Sequence, residues 1–311
     1  MPPTVAVTDL TKRFPGITAV DRLTFEVQAG EIFGLVGPDG AGKTTALRML
    51  AGVLTPDGGS ATVAGADIIH DPETAKARLS YMPQRFGLYE DLTVEENIRF
   101  YADVFGVSRP ERVERSQRLL DAAGMSPFTD RLAGKLSGGM KQKLGLVCAL
   151  IHRPQVILLD EPTNGVDPVS RRDFWRILYS LLAEGICIVM STSYLDEAER
   201  CHRVALLHQG HMLYCESPAE LKTHLRGTVL SVVSGDARRI RTALVDADGV
   251  LHIWLVGDGV RLVVDDATRR IPELRAALRA AHLSFDRLEV VKPTIEDLFV
   301  AVTSTSSGET S

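Results

Sequence analysis

The sequence predicts an α/β fold, a largely parallel sheet flanked by helices, joined to a smaller α+β module. Three observations carry that prediction. Two nearly continuous apolar runs, Val156-Ile157-Leu158-Leu159 and Ile186-Cys187-Ile188-Val189-Met190, read as strands covered on both faces. A helical segment, Ser170 to Glu184, lies between them and completes a βαβ unit. Near Gly227 the pattern changes to short strands and helices of a separate module.

In chain order, Val5 to Val36 carries short alternating segments such as Thr24-Phe25-Glu26-Val27, read as strands parted by turns at Gly16 and Gly30. A Gly-rich loop follows, then an Ala/Leu-rich helix from Thr44 to Ala51. Strand-like segments return around Ala61 to Ala64 and Leu79 to Met82. Leu92 to Leu150 is helical in pattern, broken at Gly106, Gly124, Pro127 and Gly138-Gly139, and forms a helical lobe spanning about 85–155. Past Gly227, Thr228 to Val233 reads as a strand and Asp236 to Ala247 as a helix. A hairpin, Val250 to Val256 and Val260 to Val264, turns at Gly257-Asp258-Gly259. A helix from Ala267 to Ala281 and a strand from Leu283 to Val291, with a slip of phase between Phe285 and Leu288, complete the order βαββαβ of a ferredoxin-like module. The expected division is therefore 1–226, 227–302 and a Ser/Thr/Gly-rich tail, 303–311, expected to be disordered.

With 311 residues the chain can bury an ample core, and its net charge of -5 without a long basic block gives no nucleic-acid footprint. Four dispersed cysteines without a C-x-x-C pair point to a reducing compartment rather than a disulfide or zinc framework. Cys201-His202 and the His208/His211 pair read as packed or surface residues. No apolar stretch approaches the roughly 18 residues of a spanning helix, and Met1-Pro2-Pro3-Thr4 lacks the build of a secretion signal. The expectation is a cytoplasmic protein whose membrane role, if any, comes through a partner.

Gly37-Pro38-Asp39-Gly40-Ala41-Gly42-Lys43-Thr44-Thr45 fits G-x-x-x-x-G-K-[ST] between a predicted strand and a predicted helix. Its glycines let backbone N–H groups wrap a polyphosphate, and the helix N-terminus adds a favourable dipole. Lys43 can reach the terminal phosphates and the Thr44 hydroxyl can ligate Mg²⁺. Asp39 is an acidic residue in a loop built to hold a polyanion, and the sequence offers no account of it. At the end of a buried strand stand Asp160 and Glu161, where open α/β sheets bind ligands. Asp160 fits the Mg²⁺ shell and Glu161 fits a base that takes a proton from attacking water.

Together with Leu136-Ser137-Gly138-Gly139-Met140-Lys141-Gln142 and Pro162-Thr163-Asn164-Gly165-Val166-Asp167, these motifs resemble the ATP-binding cassette (ABC) ATPases over about Val5 to Leu225. The resemblance implies a RecA-like core with an antiparallel β subdomain and a helical lobe carrying the signature. It also implies ATP and Mg²⁺ as ligands and two cassettes meeting head to tail, the Ser137, Gly138 and Gly139 turn of one capping nucleotide on the other. Phe14 matches the aromatic that stacks on adenine, usually a tyrosine, with a core phenylalanine as the rival reading. Gln84, in Tyr81-Met82-Pro83-Gln84, matches the glutamine that senses Mg²⁺ and water. Asp167 matches an interface aspartate, and Leu88 to Phe100 matches the segment facing an integral membrane subunit.

One position departs from the family. In Met190-Ser191-Thr192-Ser193-Tyr194-Leu195-Asp196-Glu197, Ser193 stands where the family usually carries a histidine reaching the γ-phosphate. Loss of such a preorganised donor typically costs about 10²–10³ in rate. The expectation is a chain that binds ATP but hydrolyses it slowly in its own site, while its intact signature completes the site of a histidine-bearing cassette. A heterodimer is therefore favoured over a homodimer. This pattern is similar to the N-terminal cassette of fused tandem-ATPase drug exporters. The end, Lys292-Pro293-Thr294-Ile295-Glu296-Asp297-Leu298-Phe299, resembles the close of drug-resistance-type export ATPases, with a plain packing helix as the rival. The functional expectation is an ATPase subunit powering export through a separate transmembrane subunit. Its alternatives are a non-transport cassette or a weakly hydrolysing nucleotide sensor.

Overall fold

The structure is a computed structural model describing residues 2–257 and 259–306. The chain runs β1 (Val5–Phe14), β2 (Ile17–Val27), β3 (Ile32–Val36), α1 (Lys43–Leu50), β4 (Gly58–Val63), β5 (Ala66–Asp67), α2 (Pro72–Arg78), β6 (Leu79–Met82), α3 (Val94–Val104), α4 (Arg109–Ala123) and α5 (Gly138–Leu150). It continues through β7 (Val156–Asp160), α6 (Pro168–Leu182), β8 (Cys187–Thr192), α7 (Leu195–Ala198), β9 (Arg203–His208) and β10 (His211–Glu216). After these come α8 (Pro218–Thr223), β11 (Thr228–Val233), α9 (Ala237–Leu244), β12 (Val250–Val256), β13 (Gly259–Val264), α10 (Ala267–Ala280), β14 (Arg287–Val290) and α11 (Ile295–Ser306).

Two compact units divide between Cys215 and Glu216. In the first, a six-stranded sheet has the order β10-β9-β3-β8-β7-β6, parallel from β9 through β6. Every residue of β3, β7 and β8 is buried, as the unbroken apolar runs require. Antiparallel β2-β1-β4-β5 forms a second sheet. Its inward residues Val5, Val7, Leu23 and Phe25 share one core with Leu35, Leu47, Leu158 and Val189, and Phe25 stacks on Phe33 at 4.7 Å between ring centroids. This is the RecA-like core with antiparallel β subdomain. Strands β9 and β10 extend the sheet beyond the sequence reading.

The helical lobe holds α3, α4 and α5. A reciprocal cap starts α3: Glu96 N donates to Thr93 Oγ1 at 3.2 Å, and Thr93 N donates to Glu96 Oε2 at 2.8 Å. Helix α5 begins at Gly138 rather than Met140, because Ser137 serves as its N-cap and accepts from Met140 N at 3.3 Å.

In the second unit, β12-β13-β11-β14 is an antiparallel sheet, so the strands taken in chain order lie 2-3-1-4, with α9 and α10 as the crossover helices. That is the ferredoxin-like arrangement expected from the order of elements. Leu230, Val232, Ile240, Leu244, Leu274 and Leu278 form its separate core. Three readings are corrected. The last strand starts only at Arg287, which removes the phase slip: the residues before it are not strand. The unit begins upstream of residue 227, since α8 packs against α11 and belongs with it. The tail expected to be disordered from Thr303 continues α11 to Ser306, and residues 307–311 lie outside the described residues.

The export-type closing motif has a local structural role. Asp297 is fully buried, accepting from Arg261 Nη1 at 2.7 Å and Thr294 N at 2.8 Å, so it starts α11 and pins it to the sheet.

Candidate active site

The carboxyl ends of β3, β7, β8 and β6 meet at one edge of the parallel sheet. The register sets Val36 beside Thr192, Asp160 beside Ser191, and Met82 beside Leu159. The loops leaving these strands therefore deliver the Gly-rich loop, Asp160-Glu161, Ser193 and Gln84 to a single place.

The loop has no room for side chains at two of its glycines. A Cβ on Gly37 would run into the carbonyl of Leu207, and one on Gly42 into the carbonyl of Ala19. Gly42 also sits at φ 100°, where other residues are strained. The Lys43 side chain is 4% exposed and folds back over the loop, donating to Gly37 O at 2.7 Å and Pro38 O at 3.0 Å. Its ammonium also pairs with Glu161 Oε1 at 3.2 Å and lies 3.4 Å from Ser193 Oγ. Those carbonyls do what phosphate oxygens can do for a buried ammonium. Beside it, Thr44 Oγ1 donates to Asp160 Oδ1 at 2.9 Å.

Glu161 adopts φ 48°, a left-handed conformation that costs a non-glycine residue energy. Its N–H donates to Ser191 Oγ at 2.9 Å, which holds the turn. Its carboxylate accepts from Gln84 Nε2 at 3.2 Å, Ser193 Oγ at 2.8 Å and Asn164 Nδ2 at 3.4 Å. A carboxylate so held can face a water and take its proton.

A cleft of roughly 480 Å³ opens over these groups. Asp39, Gly40, Ala41, Gly42, Lys43, Thr44 and Thr45 form its floor, Gln84 and Glu161 one wall, and Phe14, Ile17 and Ala19 the other. Phe14 is 42% exposed, which removes the core reading and leaves its ring face available at the rim.

Four expected residues lie apart from this cluster. Ser137, Gly138 and Gly139 are absent from the cleft lining and open α5. Asp167 caps α6, its Oδ1 accepting from Val169 N at 3.1 Å and Ser170 N at 3.0 Å. Hydrogen bonds from Ser170 hold that carboxyl below its usual range.

Several supporting residues were not singled out from sequence. Ser191 Oγ donates to Asp160 Oδ1 at 2.7 Å, and Tyr81 OH approaches Asp160 Oδ2 at 3.3 Å. Burial first, and the Asp160 charge second, push the Tyr81 phenol up, so it stays a donor. Fully buried Glu197 accepts from Thr192 Oγ1 at 2.7 Å and Thr163 Oγ1 at 2.6 Å, tying together the turns after β8 and β7. The signal for Ser191 and Tyr81 was present, since both stand within quoted motifs; only the register shows where they point.

An ABC transporter family model matches residues 20–164. The chain is 49% identical over 268 residues to the probable multidrug ABC transporter ATP-binding protein YbhF of Escherichia coli strain K12, covering 84% of this chain and 46% of that protein. It thus spans about half the length of that relative. It is 34% identical over 304 residues to the daunorubicin/doxorubicin resistance ATP-binding protein DrrA of Streptomyces peucetius, covering 96% and 92% of the two chains. The Nod factor export ATP-binding protein I of Burkholderia thailandensis is 36% identical over 296 residues, with 94% of each covered. Among solved structures, an ATP-binding subunit of an ABC transporter superposes with a TM-score of 0.65 at 31% identity, over 71% of this chain and 92% of that one. CbiO1 of Clostridium perfringens gives 0.66 at 22% identity over 79% and 96%, a likeness of fold. Matched almost end to end by the drug-resistance and Nod factor export ATP-binding proteins, the chain belongs to the ATP-binding cassette family of transporter ATPases.

Proposed function

We propose that this chain is the ATP-binding and ATP-hydrolysing subunit of an exporter, peripheral on the cytoplasmic face of the membrane, with a slow site of its own. The observation that carries the reading is the convergence of Lys43, Thr44, Gln84, Asp160, Glu161 and Ser193 beneath one cleft with Phe14 at its rim. Amides from Gly40 to Thr44 and the Lys43 ammonium would hold the triphosphate, and the Phe14 ring would take the adenine face. The oxygens of Thr44, Asp160 and Gln84 suit a hard divalent ion, with phosphate oxygens and water filling the shell. Mg²⁺, when bound, supplies charge neutralisation on the phosphates. Glu161 takes the proton of the attacking water as its oxygen bonds the γ-phosphorus and the bond to the bridging oxygen breaks.

Ser193 fits the slow-site reading. Its hydroxyl is turned to Glu161 and carries a single proton, where the family's histidine would bring a longer donor to the phosphate. Among the described residues no helix is long and apolar enough to cross a membrane; a separate membrane subunit would supply the route. Exposed Tyr89 and Phe100, packed edge to face at 4.5 Å, suit contact with such a membrane subunit. Gly138 has open space around it, and the first-turn donors of α5 suit an anion on a second cassette. The names of the drug-resistance and Nod-factor-export relatives support the export direction. The drug-exporter likeness supports a histidine-bearing partner cassette.

ATPase rates of the chain alone, with and without Ser193→His, test this. The variant should gain about 10²-fold, the worth of one restored preorganised donor. A fast wild-type rate that the substitution leaves unchanged sinks the slow-site reading. Co-purification with a detergent-solubilised membrane protein separates the exporter from a free-standing sensor.

A further inference from the structure

The acidic residue in the phosphate loop lacks a role in the reading above, and its position supplies one. Ser193 Oγ lies 2.8 Å from Glu161 Oε1, 3.4 Å from Asp39 Oδ1 and 3.4 Å from Lys43 Nζ. Two carboxylates therefore compete for one hydroxyl proton, and that hydroxyl itself faces the Lys43 ammonium on which a terminal phosphate would rest. Glu161 pairs with Lys43 and Asp160 accepts from Thr44, which leaves Asp39 as the carboxylate of this group that the metal and water chemistry does not use. Asp39 is exposed on the loop and lines the cleft with Gly40 to Thr45.

We infer that Asp39 is a specificity-determining residue that weakens this site's preference for the terminal phosphate, so that a nucleoside diphosphate is held nearly as well as a triphosphate. The inference rests on the nucleotide-site reading above. Its physical basis is like-charge repulsion: a γ-phosphate resting on Lys43 would bring added negative charge near Asp39, whereas the β-phosphate would sit deeper in the loop amides. Ser193 cannot offset this, because its proton is directed to a carboxylate. The two residues thus act together. One removes a donor to the terminal phosphate, and the other adds an anion beside it.

The test is the affinity ratio for an imido-bridged, non-hydrolysable ATP analogue against ADP, measured by calorimetry on the whole chain at fixed Mg²⁺. Asp39→Asn should raise the ratio by between about threefold and about a hundredfold, the range for one unit charge at about 6 Å as the effective dielectric falls from about 80 to about 20. Asp39→Glu should leave the ratio where it was, and the gain in Asp39→Asn should shrink at high salt. An unchanged ratio in Asp39→Asn, with ADP still bound as in wild type, overturns this inference and leaves the nucleotide site standing. Failure of the unaltered chain to bind either nucleotide overturns the underlying reading instead.

Discussion

Phe14 stands exposed at the cleft rim, with the Lys12 ammonium 5.7 Å from its ring centroid. Lys12 is already held by Asp57 at 3.0 Å and Thr55 O at 2.8 Å, so the other ring face is available to a base. Truncation to Phe14→Ala should weaken ATP binding by about 1–2 kcal/mol, the usual worth of one base–aromatic stack. Phe14→Tyr should leave binding close to wild type; equal loss in both variants would show that the ring is not the adenine platform. The same scale shows what sequence can and cannot reveal. Lys43, Thr44, Asp160 and Glu161 could be singled out because each lies in a short motif, and the structure brings them together. Ser191 and Tyr81 reach Asp160 from separate strands, and nothing local to them states that contact.

Elements were legible where burial dictates pattern and obscure where it does not. The wholly buried β7 and β8 declare themselves as apolar runs. Partly exposed β10 and the four-residue β14 carry little periodicity, and both escaped or blurred in the sequence reading. In the C-terminal unit, α10 is tied to its surroundings by buried Arg270. The guanidinium pairs with Asp265 Oδ2 at 2.7 Å, Asp248 Oδ2 at 2.7 Å and Glu273 Oε2 at 2.8 Å. Hydrogen bonding to Arg270 holds the Asp265 carboxyl down to about 2, and lowers Glu273 as well. A depressed folded-state value means stability that is present above about pH 4 and lost as pH falls towards 2. Arg270→Met should lower the melting temperature at neutral pH, and the gap from wild type should narrow across that acid window. A gap that stays constant down to pH 2 would show that the cluster contributes packing alone.

At the scale of the molecule, two separate cores account for the two units, each legible as a distinct pattern on either side of Gly227. The division itself falls earlier, because α8 is too short to announce which core it serves. The parallel sheet brings four segments distant in sequence to one edge, and the account depends on that edge being where a triphosphate is gripped. Calorimetric titration of the purified chain with MgATP, beside Lys43→Ala, tests this most directly. One saturable site per chain, lost in the variant while its fold is kept, is the predicted result. No heat of binding in the unaltered chain, or binding that survives removal of the Lys43 ammonium undiminished, would contradict it.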